Sequence, residues 1–167
     1  MKLLRVLIAA AVFCSGAAVH ALAQQPNKLP VPRFVSLRSD KVHVRIGPSQ
    51  SHEIRWTFAK AGLPVEIIAE FENWRRIRDS DGADGWVHQA MLSGRRTAVV
   101  RASALTKTVP VYERVGGEGA LIAELQPGVL ANVRSCAKSW CRISGERFDG
   151  FILQTLLWGV YPDEKID

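Results

Sequence analysis

The chain has 167 residues and a formal net charge of +6, from 22 Lys and Arg against 16 Asp and Glu. Without the export signal described next, 144 residues remain, with 20 basic against 16 acidic side chains and two cysteines. That bounds the protein to one ordinary domain or two very small ones. For an exported chain, the basic balance points to anionic partners outside the cytoplasm rather than to nucleic acid.

Residues 1–23 read as a secretory signal peptide. Lys2 and Arg5 give a positive start, Leu3 to Val19 is mostly apolar, and Ala21-Leu22-Ala23 is a small-x-small cleavage site. The apolar run is short for a membrane span, so no stable span is expected after cleavage. Residues 24–32 contain three prolines and no periodicity, the composition of a flexible leader. Arg33 to Leu37 has strand character. In Val42 to Ile46, Val42, Val44 and Ile46 alternate with His43 and Arg45, the pattern of a half-buried strand closed by Gly47-Pro48. Further strands are expected at Ile54 to Lys60, Val65 to Phe71, Trp74 to Arg78 and from Gly85 to Val87, followed by one 3-10 turn near Gln89 to Leu92.

The pattern then repeats. Val109 and Val111 match Val42 and Val44; Leu121 to Leu125 matches the Trp56 strand. Val129 to Val133 matches Val65 to Ala69, Trp140 matches Trp74, and Gly150 matches Gly85. The offset stays at 64 to 67 residues along the whole copy, which marks an internal repeat. The expected layout is a first barrel at 33–95, a second, divergent barrel at 96–160 and a polar, frayed tail at 161–167. Cys136 and Cys141 flank a four-residue spacer at a strand–turn–strand junction. Two such positions face each other across a hairpin, at a separation a disulfide spans.

Val42-His43-Val44-Arg45-Ile46-Gly47-Pro48-Ser49 resembles the opening of bacterial SH3-like (SH3b) domains, and Gly62, Trp74 and Gly85-Trp86-Val87 follow where that family places its later elements. The resemblance covers about residues 34–94, and residues 105–159 look like a second copy. In that copy Tyr112-Glu113-Arg114 replaces the Arg-x-Gly-Pro element and Phe151 replaces Trp86. The resemblance implies an all-β protein of two tandem five-stranded SH3-like barrels. It also implies a role as a targeting or binding module of the cell envelope, often beside wall hydrolases.

The residues themselves give little support to catalysis. The mature thiols are the expected disulfide pair, residues 105–167 hold no His, and neither a Gly-x-Ser-x-Gly elbow nor a His-Glu-x-x-His spacing occurs. No catalytic residue, metal site or cofactor is expected. Arg45, Trp56, Trp74, Arg76 and Arg78 are the candidate ligand-binding residues. Alternation puts Trp74, Arg76 and Arg78 on one face, with Ile77 buried on the other and Arg75 forced to the rim. Guanidinium forks beside indoles suit carboxylates or phosphates, but nearby Asp and Glu could instead pair with them. Trp86 is expected in the core, and Trp158 is a candidate anchor between the two copies. The function expected is that of an exported, periplasmic or extracellular, non-catalytic binding or scaffold module. Its partner would be an anionic cell-wall polymer or envelope protein. The alternatives are a cell-wall hydrolase with an unrecognised site and a structural or inhibitory partner of another envelope protein.

Overall fold

The structure, a computed structural model, describes residues 29–101 and 107–167. The expected signal peptide at 1–23 and residues 24–28 of the expected leader lie outside the described residues. The first copy forms β1 (Arg33–Leu37), β2 (Val42–Arg45), β3 (Ile54–Phe58), β4 (Pro64–Phe71), β5 (Trp74–Arg78), β6 (Asp84–His88) and β7 (Leu92–Ser93). The second forms β8 (Thr97–Val100), β9 (Val109–Tyr112), β10 (Leu121–Leu125), β11 (Leu130–Ala137), β12 (Trp140–Ser144), β13 (Asp149–Leu153) and β14 (Leu157–Trp158).

The two sheets are antiparallel and have the same order: β3-β2-β6-β5-β4-β1-β7 and β10-β9-β13-β12-β11-β8-β14. The repeat read from the sequence is therefore a repeat of topology. Each sheet has seven strands where five were expected. The additions come from the opening strand and from the two-residue strand that follows the 3-10 turn at Gln89–Met91 or Gln154–Leu156. In each copy the opening strand pairs with the two-residue strand, which forms the end of the sheet.

Side-chain alternation explains the curl. Val42 and Val44 are fully buried while His43 and Arg45 are half-exposed, as period two requires. Leu37, Val44, Val65, Ile77, Val87 and Leu92, from six different strands, meet in one cluster, and Trp56 and Phe58 of β3 pack on its margin. One cluster can reach every strand only if the sheet wraps around it. A matching cluster, with Val100, Val111, Ala131, Ile143, Ile152 and Leu157, fills the second barrel. Gly85 belongs to this wrapping: a Cβ there would stand 2.5 Å from Val44 Cγ1 and 3.0 Å from the Arg45 carbonyl. Its counterpart Gly150 faces the Tyr112 carbonyl at 2.6 Å in the same way.

Two expectations are corrected. Trp86 is not core. Val87 occupies the inner face of β6 at 0% exposure, so its neighbour Trp86 points outward, opposite Arg45 and Arg76. The last residues are not frayed. Ile166 exchanges two backbone hydrogen bonds with Cys136, at 2.8 and 3.1 Å. Glu164 pairs with Arg96 at 2.7 Å, and its carbonyl accepts from Gln154 Nε2. These contacts were hidden in a tail read only by its polarity.

The two barrels touch along a seam. Phe34 of β1 meets Trp158 edge-on at 5.0 Å and Tyr161 at 4.7 Å between ring centroids. Trp158 thus stands in the seam, the place expected for it as a candidate anchor between the copies. Tyr161 Oη donates to Glu66 Oε1 at 2.8 Å, and Thr97 Oγ1 donates to the Gly62 carbonyl at 2.7 Å.

Candidate binding site

On β2, the outward side chains are His43 and Arg45, and Lys41 precedes them in the same phase. On β5 and β6, Trp74 lies directly opposite His88, their rings edge-on at 5.4 Å. Trp74 is 9% exposed yet lies outside the inner core cluster, because Ile77 fixes the inner face of β5 and three residues of spacing put Trp74 on the outer one. Together Lys41, His43, Arg45, Gln50, Trp74, His88 and Met91 line a concavity of about 150 Å³. No carboxylate lines it among the described residues. Arg45 donates one bond to the His52 carbonyl at 2.6 Å, which orients the guanidinium and leaves further N–H groups available. His43 Nδ1 is bonded to Thr57 Oγ1, and His88 Nδ1 accepts from the Ala90 amide at the 3-10 turn. The result is an indole floor ringed by basic side chains. Such a place suits an anionic group with an apolar flank.

The structure brings Arg45 and Trp74 together and separates the other candidates from them. Arg76 shares the outer face, but its guanidinium is paired with Asp84 at 2.5 Å. Arg78 is bound through Nε and Nη2 to Glu66 Oε2, at 2.8 and 2.5 Å, and that carboxylate is 4% exposed. Trp56 stands opposite Val44 on β3 and packs against the core margin and Phe58, on the inner side of the sheet. Arg75 sits at the rim, paired with Glu70 at 3.0 Å and bonded to Gln89 Oε1. Sequence reasoning missed Lys41, His43 and His88. The signal was present: Lys41, His43 and Arg45 at spacing two, with Val42 and Val44 between them, define one outward basic row.

The second barrel lacks the basic side chains at the matching positions. Strand matching puts Thr108, Pro110 and Tyr112 where Lys41, His43 and Arg45 stand, and Trp140 opposite Leu153 where Trp74 faces His88. Tyr112 meets Trp140 edge-on at 6.2 Å, so a ring contact fills the place of a basic pocket. Cys136 and Cys141 are directly opposed on β11 and β12 and joined in a disulfide, with Cα atoms 4.1 Å apart. Because Cys136 spends its backbone groups on Ile166, the pair is of the non-hydrogen-bonded kind, where side chains stand closest. No three His, Cys, Asp or Glu side chains converge as a metal site among the described residues.

The profile of the bacterial SH3 domain matches residues 38–94 and again residues 106–159. The chain belongs to the bacterial SH3 domain family. Its two SH3 domains coincide with the two sheets, and the basic concavity lies in the first. Domains of this family are typically non-catalytic binding modules. No curated protein matches the chain. Among solved structures, NlpC1 and NlpC2 from Trichomonas vaginalis are similar, each at 12% identity and a TM-score of 0.33. The alignments cover 79% and 78% of this chain, and 47% and 49% of those chains, so this chain spans about half their length. No helix among the described residues is long and apolar enough to cross a membrane.

Proposed function

We propose that this protein is an exported, non-catalytic binding module of the cell envelope, and that its first SH3 domain holds an anionic group of a cell-wall polymer or envelope protein. The observation that carries the reading is the carboxylate-free ring of Lys41, His43, Arg45 and His88 around Trp74. The matching place in the second domain is neutral, which supports a supporting role for that domain. Arg76 flanks the site on the same face, while Arg78 and Trp56 serve it indirectly through the fold. The disulfide and the signal-like first residues support an oxidising compartment outside the cytoplasm.

Co-sedimentation of the protein with purified cell wall, over a series of salt concentrations, tests this. Binding should weaken as salt rises, because exposed charges are screened within about 8–10 Å at physiological ionic strength. The double variant Lys41→Ala/Arg45→Ala should lose most binding. Arg114→Ala/Arg147→Ala, which removes two exposed charges of the second domain, should bind as the parent does. Equal loss in both variants, or binding indifferent to salt, would overturn the assignment.

A further inference from the structure

The seam between the barrels encloses a cleft of about 320 Å³, within the size range of small-ligand sites. Phe34, Val160 and Pro162 give it an apolar wall, and Arg101, Gln154 and Trp158 give it polar groups. Two of these groups are unused. Trp158 Nε1–H, a donor, and Gln154 Oε1, an acceptor, are buried and have no hydrogen-bond partner among the described residues. Gln154 is 2% exposed, and its Nε2 is already committed to the Glu164 carbonyl. A buried donor or acceptor without a partner is costly, so two in residues that line one cleft ask for a reason.

The charge balance of the cleft supplies a second observation. Glu66 is neutralised by Arg78 and also accepts from Tyr161. Arg101 lies over the Trp158 ring, its guanidinium carbon 5.5 Å from the ring centroid, and has no carboxylate partner among the described residues. The cleft therefore carries one surplus cation beside one orphan donor and one orphan acceptor. A secondary amide offers the complementary pair, C=O for the indole N–H and N–H for the glutamine oxygen, and a carboxylate one residue away satisfies Arg101.

We propose that the inter-barrel cleft is a second binding site, for the C-terminal end of a short peptide: a free carboxylate, the preceding amide and a small apolar side chain against Phe34 and Val160. It is distinct from the basic concavity of the first domain and takes a different part of a ligand. Both orphan atoms are themselves buried, so a ligand reaches them only as the Trp158 indole, intermediate in exposure, turns. That movement makes the Trp158 indole resonance the natural reporter.

The test is titration of the full ¹⁵N-labelled chain with acetyl-Ala-Ala, with the indole peaks assigned through Trp158→Phe and Trp74→Phe. Acetyl-Ala-Ala should shift the Trp158 indole saturably and leave the Trp74 indole in place. Its C-terminal amide should bind about tenfold more weakly or worse, since a charge-assisted bond to Arg101 is lost. Arg101→Ala, at an exposed position, should weaken the acid to the level of the amide. Equal binding of acid and amide, an unaffected Arg101→Ala variant, or no shift of the Trp158 indole would overturn the proposal. A shift of Trp74 alone would support the first-domain site and defeat this one.

Discussion

At the scale of single residues, two neighbouring arginines have opposite duties. Arg76 pairs with Asp84 in the open, with side chains 45% and 31% exposed. Such pairs contribute ~0–1 kcal/mol, so Arg76→Ala should hardly move the unfolding midpoint. Arg78 instead satisfies Glu66, which the fold buries between the barrels. Arg78→Ala leaves that carboxylate with only the Tyr161 hydroxyl. Because Arg78 itself is half in water, the expected loss is about 1–2 kcal/mol rather than the ~3–5 kcal/mol of a fully buried pair. Urea unfolding of the two variants side by side checks the contrast, and equal losses would refute it. Gly85→Ala makes a further case. Its Cβ would meet Val44 Cγ1 and the Arg45 carbonyl, so β2 and β6 must part. The cost of such overpacking is about 1–3 kcal/mol, and the same shift should disturb Arg45 in the candidate concavity. Thermal unfolding with a wall-binding assay reads both effects.

At the scale of elements, the disulfide closes the β11–β12 hairpin. A loop this short gains ~2 kcal/mol in the chain-entropy model. Cys136→Ser/Cys141→Ser should therefore lower stability by about that amount without dismantling the barrels, as measured by chemical unfolding with and without reductant. The elements are also where the sequence was most legible. Alternation in Val42 to Arg45, the opposed cysteines and the constant offset all translate directly into strands, pairing and topology. What stayed hidden depends on partners far along the chain. Glu66 reads as one polar residue in an apolar strand, and nothing local says that Tyr161 and Arg78 converge on it. Trp86 was misplaced because residue type was weighed above phase. Val87 sets the phase of β6, and a one-residue shift in a strand reverses the face. The candidate concavity was half visible: Arg45 and Trp74 were among the expected candidates, while Lys41, His43 and His88 needed the outer face to be read as carefully as the inner one.

At the scale of the molecule, the C-terminal residues hold the barrels together, and two titrating groups report on that. Burial alone would raise the Glu164 carboxyl, but the Arg96 hydrogen bond, the Tyr161 amide and the Arg96 charge together hold it below its ordinary value of 4.5. A depressed carboxyl contributes stability above the unfolded-state value and loses it as pH falls through the folded-state value. The Tyr161 phenol is raised, first by burial and then by its bond to Glu66. A raised phenol contributes stability below its ordinary range and loses it on strong alkalisation. Hydrogen exchange at the Ile166 amide, which donates to the Cys136 carbonyl, should therefore be slow around neutrality and quicken as pH falls below 4.5, after correction for intrinsic exchange. In Arg96→Gln that acid response should shrink. An unchanged response would mean that Glu164 does not hold the tail.

The bond from Tyr161 to Glu66 also sets an order of events during biosynthesis. A chain is made from its N-terminus, so the first barrel can form before Trp158 and Tyr161 emerge. Until Tyr161 arrives, Glu66 lacks one of its two partners, and until Trp158 and Tyr161 are both in place Phe34 lacks its two ring neighbours. A chain that stops short of Trp158 keeps that unfinished state permanently. The closing strand of the second barrel is thus written into the stability of the first domain, and a protease that samples open surfaces should cleave copies lacking residues 158–161 faster than the parent.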